Sequence, residues 1–170
     1  MALLLFIILI GTGCGQQVQT RTAAETEQEP VFFEASLSTD QNQVVEDIGY
    51  PDHFFISIDP YGTDRMERWI YFSDGKALDF DNGRLDGEEE VADESAEYPP
   101  TDLRPQDFST LMTSEEANQL LGEPLYTHEV EDSLMPENSI IIYEKAVLLY
   151  RDGQLIGVDT QVHPPHLPAP

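Results

Sequence analysis

Apolar residues follow three different rhythms along this chain. From Ala2 to Ile10 every residue is apolar, a run too short for a spanning helix, which needs about 20 residues, but suited to the core of a signal peptide. A helical rhythm follows at two places. Val44, Val45 and Ile48 come after Ser38-Thr-Asp-Gln41, and Ala117, Leu120 and Leu121 come after Thr113-Ser-Glu-Glu116. Both leaders fit the capping box, in which a hydroxyl and a side chain three residues on satisfy orphan amides at a helix start. Gly49 and Gly122 then suit left-handed closing residues, and Pro51 and Pro124 block continuation.

The third rhythm is alternation. Phe54, Ile56 and Ile58 alternate, and Arg65 to Phe72 puts Trp69 and Tyr71 on one face with Ile70 and Phe72 on the other. Asp74-Gly75 and Asn82-Gly83 read as tight hairpin turns whose central residues take positive φ. Strands are likewise predicted over Leu125 to Val130, Ser139 to Tyr143, Ala146 to Tyr150 and Leu155 to Val158, with Asp152-Gly153 as the last turn. Ile140 to Ile142 and Val147 to Leu149 are apolar on both faces, which predicts a sheet covered on both sides.

These landmarks occur twice in the same order. Gln43-Val-Val-Glu-Asp-Ile-Gly49-Tyr-Pro51 resembles Glu116-Ala-Asn-Gln-Leu-Leu-Gly122-Glu-Pro124, and Leu78-Asp-Phe80-Asp-Asn-Gly83-Arg-Leu85 resembles Leu148-Leu-Tyr150-Arg-Asp-Gly153-Gln-Leu155. The expected fold is therefore α+β, with two tandem repeats, each a short helix or helical hairpin packed on an antiparallel meander of about four strands. Units of about 60 residues are marginal alone, so the two are expected to pack together. The boundaries follow: 1–13 signal peptide, 14–30 tether, 31–86 first repeat, 87–107 linker, 108–160 second repeat and 161–170 Pro-rich tail. Asp86 to Glu97 holds seven acidic residues and no basic one, as a solvated linker would. Phe32 and Phe33 are either the first core residues or an exposed apolar segment.

Composition changes the picture in two ways. With 33 Asp plus Glu against 8 Lys plus Arg, the 170-residue chain carries a formal charge of −25, which repels nucleic acid and anionic lipid alike. The same excess fits an exported protein of a saline habitat. The single cysteine rules out an intramolecular disulfide and a cysteine-based zinc site. That cysteine, Cys14, follows Gly11-Thr-Gly13 directly after the apolar run and resembles the lipobox of bacterial lipoproteins, in which the cysteine is lipidated and the preceding peptide removed. The alternative, a secretory signal cut elsewhere, also exports the chain. Multiple acyl chains would hold an acidic body at a membrane its charge avoids. Residues 15–29 are mostly Gln, Thr, Ala and Glu, a flexible tether with a reach of roughly 20 Å.

Helix, Leu/Ile-Gly-x-Pro, Gly62-Thr63, Trp69-Ile-Tyr71 and Phe80-Asp-Asn-Gly83 resemble the SmpA/OmlA (BamE-like) lipoprotein family. The tandem arrangement is similar to that of the β-lactamase inhibitor protein. The resemblance covers residues 37–86 well and 111–158 more loosely. It implies helix-on-sheet units and a role in outer-membrane assembly or maintenance, and its motifs speak to fold more than to activity.

Candidate chemistry is sparse. No nucleophile elbow, Cys-x-x-Cys, His-Glu-x-x-His or phosphate-binding loop occurs. His163-Pro-Pro-His166 offers two imidazoles without a third ligand, and Asp79, Asp81 and Asn82 miss the spacing of an EF-hand loop. No cofactor or metal is expected. Trp69 and Tyr71 are binding residues if exposed and core residues if they lie under a helix.

The expected function is thus a non-catalytic envelope lipoprotein that binds or scaffolds a protein partner. It is anchored to the membrane through Cys14, at the outer membrane where there is one, since Gly15 rather than Asp follows the cysteine. The alternatives are an inhibitor of an extracytoplasmic enzyme and a calcium- or ligand-binding accessory.

Overall fold

The structure, a computed structural model, describes residues 36–59, 64–130 and 138–162. The expected signal peptide, Cys14, the tether, Phe32 and Phe33, Gly62-Thr63 and His163 and His166 of the tail lie outside the described residues.

Helix α1 (Thr39–Ile48) is followed by β1 (His53–Ile58), β2 (Arg65–Tyr71), β3 (Lys76–Asp81) and β4 (Arg84–Glu90). A 3₁₀ turn (Pro105–Asp107) leads to α2 (Ser114–Leu121), then β5 (Tyr126–Val130), β6 (Asn138–Ile142), β7 (Val147–Arg151) and β8 (Gln154–Asp159). Both helices start with complete capping boxes, Ser38 with Gln41 and Thr113 with Glu116, each worth about 1 kcal/mol. The Thr113 amide and hydroxyl hold the Glu116 carboxyl below its usual range. Gly49 and Gly122 close the helices at φ 88° but with extended ψ, so neither is left-handed helical. Asn82-Gly83 and Asp152-Gly153 do take positive φ at both positions, whereas in Asp74-Gly75 only Gly75 does.

All eight strands form one antiparallel sheet in the order β4-β3-β2-β1-β8-β7-β6-β5. This corrects the expected α+β fold of two tandem helix-on-meander repeats. Among the described residues the chain is mainly β, with one continuous sheet and only two short helices, of ten and eight residues. The physical reason is an edge. Separate sheets would leave β1 and β8 with unpaired amides and carbonyls, and pairing Phe55, Ile56 and Ser57 with Asp159, Val158 and Gly157 satisfies them. Thr160 extends the join: its Oγ1 accepts from the Phe54 amide at 2.8 Å and its own amide donates to the Phe54 carbonyl at 3.1 Å.

One face of this sheet carries the main core. Phe54, Trp69, Phe80, Phe108, Leu148 and Leu155 are fully buried there, Trp69 and Phe80 with ring centroids 4.6 Å apart. Ala117 of α2 is buried in the same cluster, and Val44 and Val45 of α1 pack against it.

The stretch expected as a solvated linker is structured at both ends. Its first acids, Glu88 to Glu90, belong to edge strand β4, where charge deters pairing with another chain. Val91 and Tyr98 then pack on Ile70, Phe72 and Ala77 on the second face. The Thr101 amide donates to the Asp52 carbonyl at 2.9 Å, and Leu103, Phe108 and Met112 enter the main core. The connection thus wraps from one face of the sheet to the other.

Candidate functional site

Rows of directly paired residues define what the second face offers. One row runs Asp79, Arg68, Phe55, Asp159, Val147, Ile142 and Tyr126 across β3 to β5. The next runs Asp81, Met66, Ser57, Gly157, Leu149, Ile140 and His128. Val91 and Tyr98 cover only the adjoining end, so the rest of this face lies open among the described residues. This is the side that Ile140 to Ile142 and Val147 to Leu149 were expected to bury twice. Instead Met66 is 62% exposed, Tyr126 57% and Leu149 38%.

An open groove of about 770 Å³ runs over the β1–β8 join. Two irregularities shape it. Asp86 on β4 and Ile156 on β8 fall at register shifts, each an extra residue opposite a single partner strand step, and both side chains reach the groove. Gly157 keeps the floor low, because a Cβ there would lie 3.2 Å from Leu149 Cδ1.

The groove is apolar in the middle and charged along one side. Arg68 Nη2 donates to Glu89 Oε2 at 2.6 Å and Nη1 to both Asp79 oxygens at 3.3 Å, and the Glu89 bond raises the guanidinium above its ordinary value. Arg84 sits 3.9 Å from Asp81 and 3.6 Å from Asp86. Asp159 differs from these acids. Its Oδ1 accepts from the Gln161 amide at 2.8 Å, no Lys or Arg pairs with it among the described residues, and burial pushes its carboxyl up.

Trp69 and Tyr71 lie elsewhere. Trp69 is 0% exposed and donates from Nε1 to Glu67 Oε2 at 2.9 Å; Tyr71 is buried beside it on the core face and donates to the Gly49 carbonyl at 3.1 Å. Neither side chain offers a surface to a partner. Burial raises the Tyr71 hydroxyl, as suits a group kept neutral in the core.

A smaller polar cavity of about 140 Å³ lies between the start of α1 and the connection, lined by Ser38, Gln41, Arg65, Glu67 and Gln106 among others. Gln41 Nε2 and Gln106 Oε1 have no protein partner there, and the space suits a few bridging waters. Among the described residues no group of three or more His, Cys, Asp and Glu is placed to hold a metal ion. No described helix is long and apolar enough to cross a membrane.

Sequence reasoning missed Met66, Leu149, Ile156 and Asp159 as surface residues. The available signal was a methionine set among Arg65, Glu67 and Arg68, and strands apolar on both faces with only two short helices to cover them. No family model, curated protein or solved structure matches this chain.

Proposed function

We propose that this chain is a non-catalytic, lipid-anchored module of the bacterial envelope that binds another protein through the open face of its sheet. The observation that carries this reading is the groove over the β1–β8 join, with Met66 and Leu149 exposed on the part of the sheet face left open beyond Val91 and Tyr98 among the described residues. Contiguous exposed apolar surface with a polar rim is characteristic of interaction sites. The lipobox-like Gly11-Thr-Gly13-Cys14 and the likeness to the SmpA/OmlA lipoproteins support the anchored location, and Gly15 after the cysteine favours the outer membrane where one exists. Display on a tether would bring the acidic body to a membrane-associated partner despite its charge of −25.

The test compares affinity capture from detergent-solubilised envelopes by the intact chain, by Leu149→Glu and by Cys14→Ser. The reading expects one dominant envelope protein with the intact chain, its loss with Leu149→Glu, and release of Cys14→Ser into the soluble fraction. Equal recovery by intact and Leu149→Glu protein contradicts the face. Cys14→Ser remaining membrane-bound contradicts the anchor.

A further inference from the structure

The groove's charge says what kind of partner fits it. Asp79, Asp81, Asp86, Glu89 and Asp159 stand around or beside it against the guanidinium groups of Arg68 and Arg84, an excess of three negative charges. Both arginines already contact carboxylates, so neither is available to an incoming anion without breaking those pairs. Asp159 is the exception among the acids. It sits directly opposite Phe55, half-buried, with the His53 ring, the Tyr98 hydroxyl and the Gln161 amide as its polar neighbours and, among the described residues, no Lys or Arg. A half-buried carboxylate with no lysine or arginine beside it among the described residues, raised by desolvation, gains from a cation that arrives with its own apolar cover. The surrounding surface supplies that cover: Phe55, Met66, Leu149 and Ile156 border the same groove.

We infer that the groove takes a partner segment in which an arginine or lysine is flanked by apolar side chains, the cation reaching Asp159 and the apolar groups packing on Met66 and Leu149. This deepens the proposed function and rests on it. The whole-chain charge of −25 excludes anionic partners at long range and speeds the approach of cationic ones. It also opposes a second copy of this chain as the occupant, since two such bodies repel.

The full chain is titrated by calorimetry with a synthetic peptide of alternating arginine and leucine, beside peptides with glutamine for arginine and with serine for leucine. The inference expects the arginine–leucine peptide to bind, to weaken about tenfold or more in Leu149→Glu and in Asp159→Asn, and to weaken with added salt. Both side chains border the open groove, and circular dichroism checks that each variant is folded. If the glutamine–leucine peptide binds equally and Asp159→Asn changes nothing while Leu149→Glu still weakens binding, the cationic preference is overturned and the docking face stands. If the arginine–serine peptide binds as well and Leu149→Glu has no effect, the attraction is to diffuse acidic surface and the groove is overturned as the site. Failure of every peptide to bind overturns the inference as well. Self-association in sedimentation that Leu149→Glu abolishes would assign the face to a second copy instead.

Discussion

Arg65 on β2 donates from Nη1 to the carbonyl oxygen of Phe108 at 2.7 Å, tying a central strand to the most deeply buried residue of the connection. Its Nη2 donates to the Pro105 carbonyl at 3.0 Å and its Nε to Glu67 at 2.8 Å, while Glu67 accepts in turn from Trp69. Each charge is therefore paired and hydrogen-bonded inside the core, as a buried ion pair requires. Removing only the cation strands the carboxylate. Arg65→Met is expected to cost about 3–5 kcal/mol in urea unfolding. The double variant Arg65→Met with Glu67→Gln should recover much of that loss, since glutamine still accepts from Trp69. Equal losses in single and double variants would mean that packing, not charge, is what Arg65 supplies.

Gly83 and Gly153 share nearly the same backbone, φ 77° and 76°, but not the same surroundings. A Cβ at Gly83 would lie 2.7 Å from Ser38 Cβ, where the Ser38 hydroxyl donates to the Gly83 carbonyl, while at Gly153 nothing lies within 4 Å. Gly153→Ala should cost about 1–2 kcal/mol from backbone strain alone. Gly83→Ala should cost at least about 1 kcal/mol more, through overpacking and displacement of α1. Thermal unfolding of the two variants checks the difference.

Asp159 makes a prediction about pH. Burial raises its carboxyl in the folded protein, with the Gln161 amide and His53 opposing the shift. Between the ordinary carboxylate value, about 3.9, and that raised value, the folded state holds a proton the unfolded chain releases, so this group's contribution to stability falls as pH rises. At neutral pH the ionised group is a net cost. Asp159→Asn should be at least as stable as the parent at pH 7, with the advantage gone below about pH 4. A destabilised variant at pH 7 would show that the carboxylate is held by more than these neighbours.

Trp69→Phe separates core from contact. The change keeps a large ring beside Phe80 but leaves Glu67 Oε2 without its donor, an expected loss of about 1–3 kcal/mol. Partner capture by the folded variant should be unchanged, because the side chain is fully buried. Loss of capture at unchanged stability would return Trp69 to the binding surface.

Local chemistry was legible where it is local. Ser38 with Gln41, Thr113 with Glu116, the positive φ of Asn82-Gly83 and the turn at Asp152-Gly153 depend on neighbours within a few residues, and the structure places these as read, whereas Asp74 does not take the positive φ expected of it. Strand alternation likewise located Phe54, Ile56 and Ile58 on the core side. The pairing of β1 with β8 joins residues about a hundred positions apart, and no periodicity records which free edge meets which. For the same reason two matched half-chains predict two units, whereas their strands form one sheet. Glu88 to Glu90 resembled a linker because an exposed edge strand and a solvated loop both favour charge. Phe108 gives no core signal because a single aromatic in a polar stretch carries no rhythm. The open face was visible only as strands too apolar for a one-sided sheet, and its carboxylate, Asp159, was one of 33 acids until the fold set it opposite Phe55.

The central claim is that a protein partner docks on the open sheet face, and photo-crosslinking tests it most directly. A photoreactive residue is placed in the full chain at Leu149, at Met66, or at the exposed α2 position Gln119, and intact envelopes are irradiated. The account predicts the same single-protein adduct from positions 149 and 66 and none from 119. Adducts from 119 alone, or none from either groove position while the partner is still captured, would contradict it.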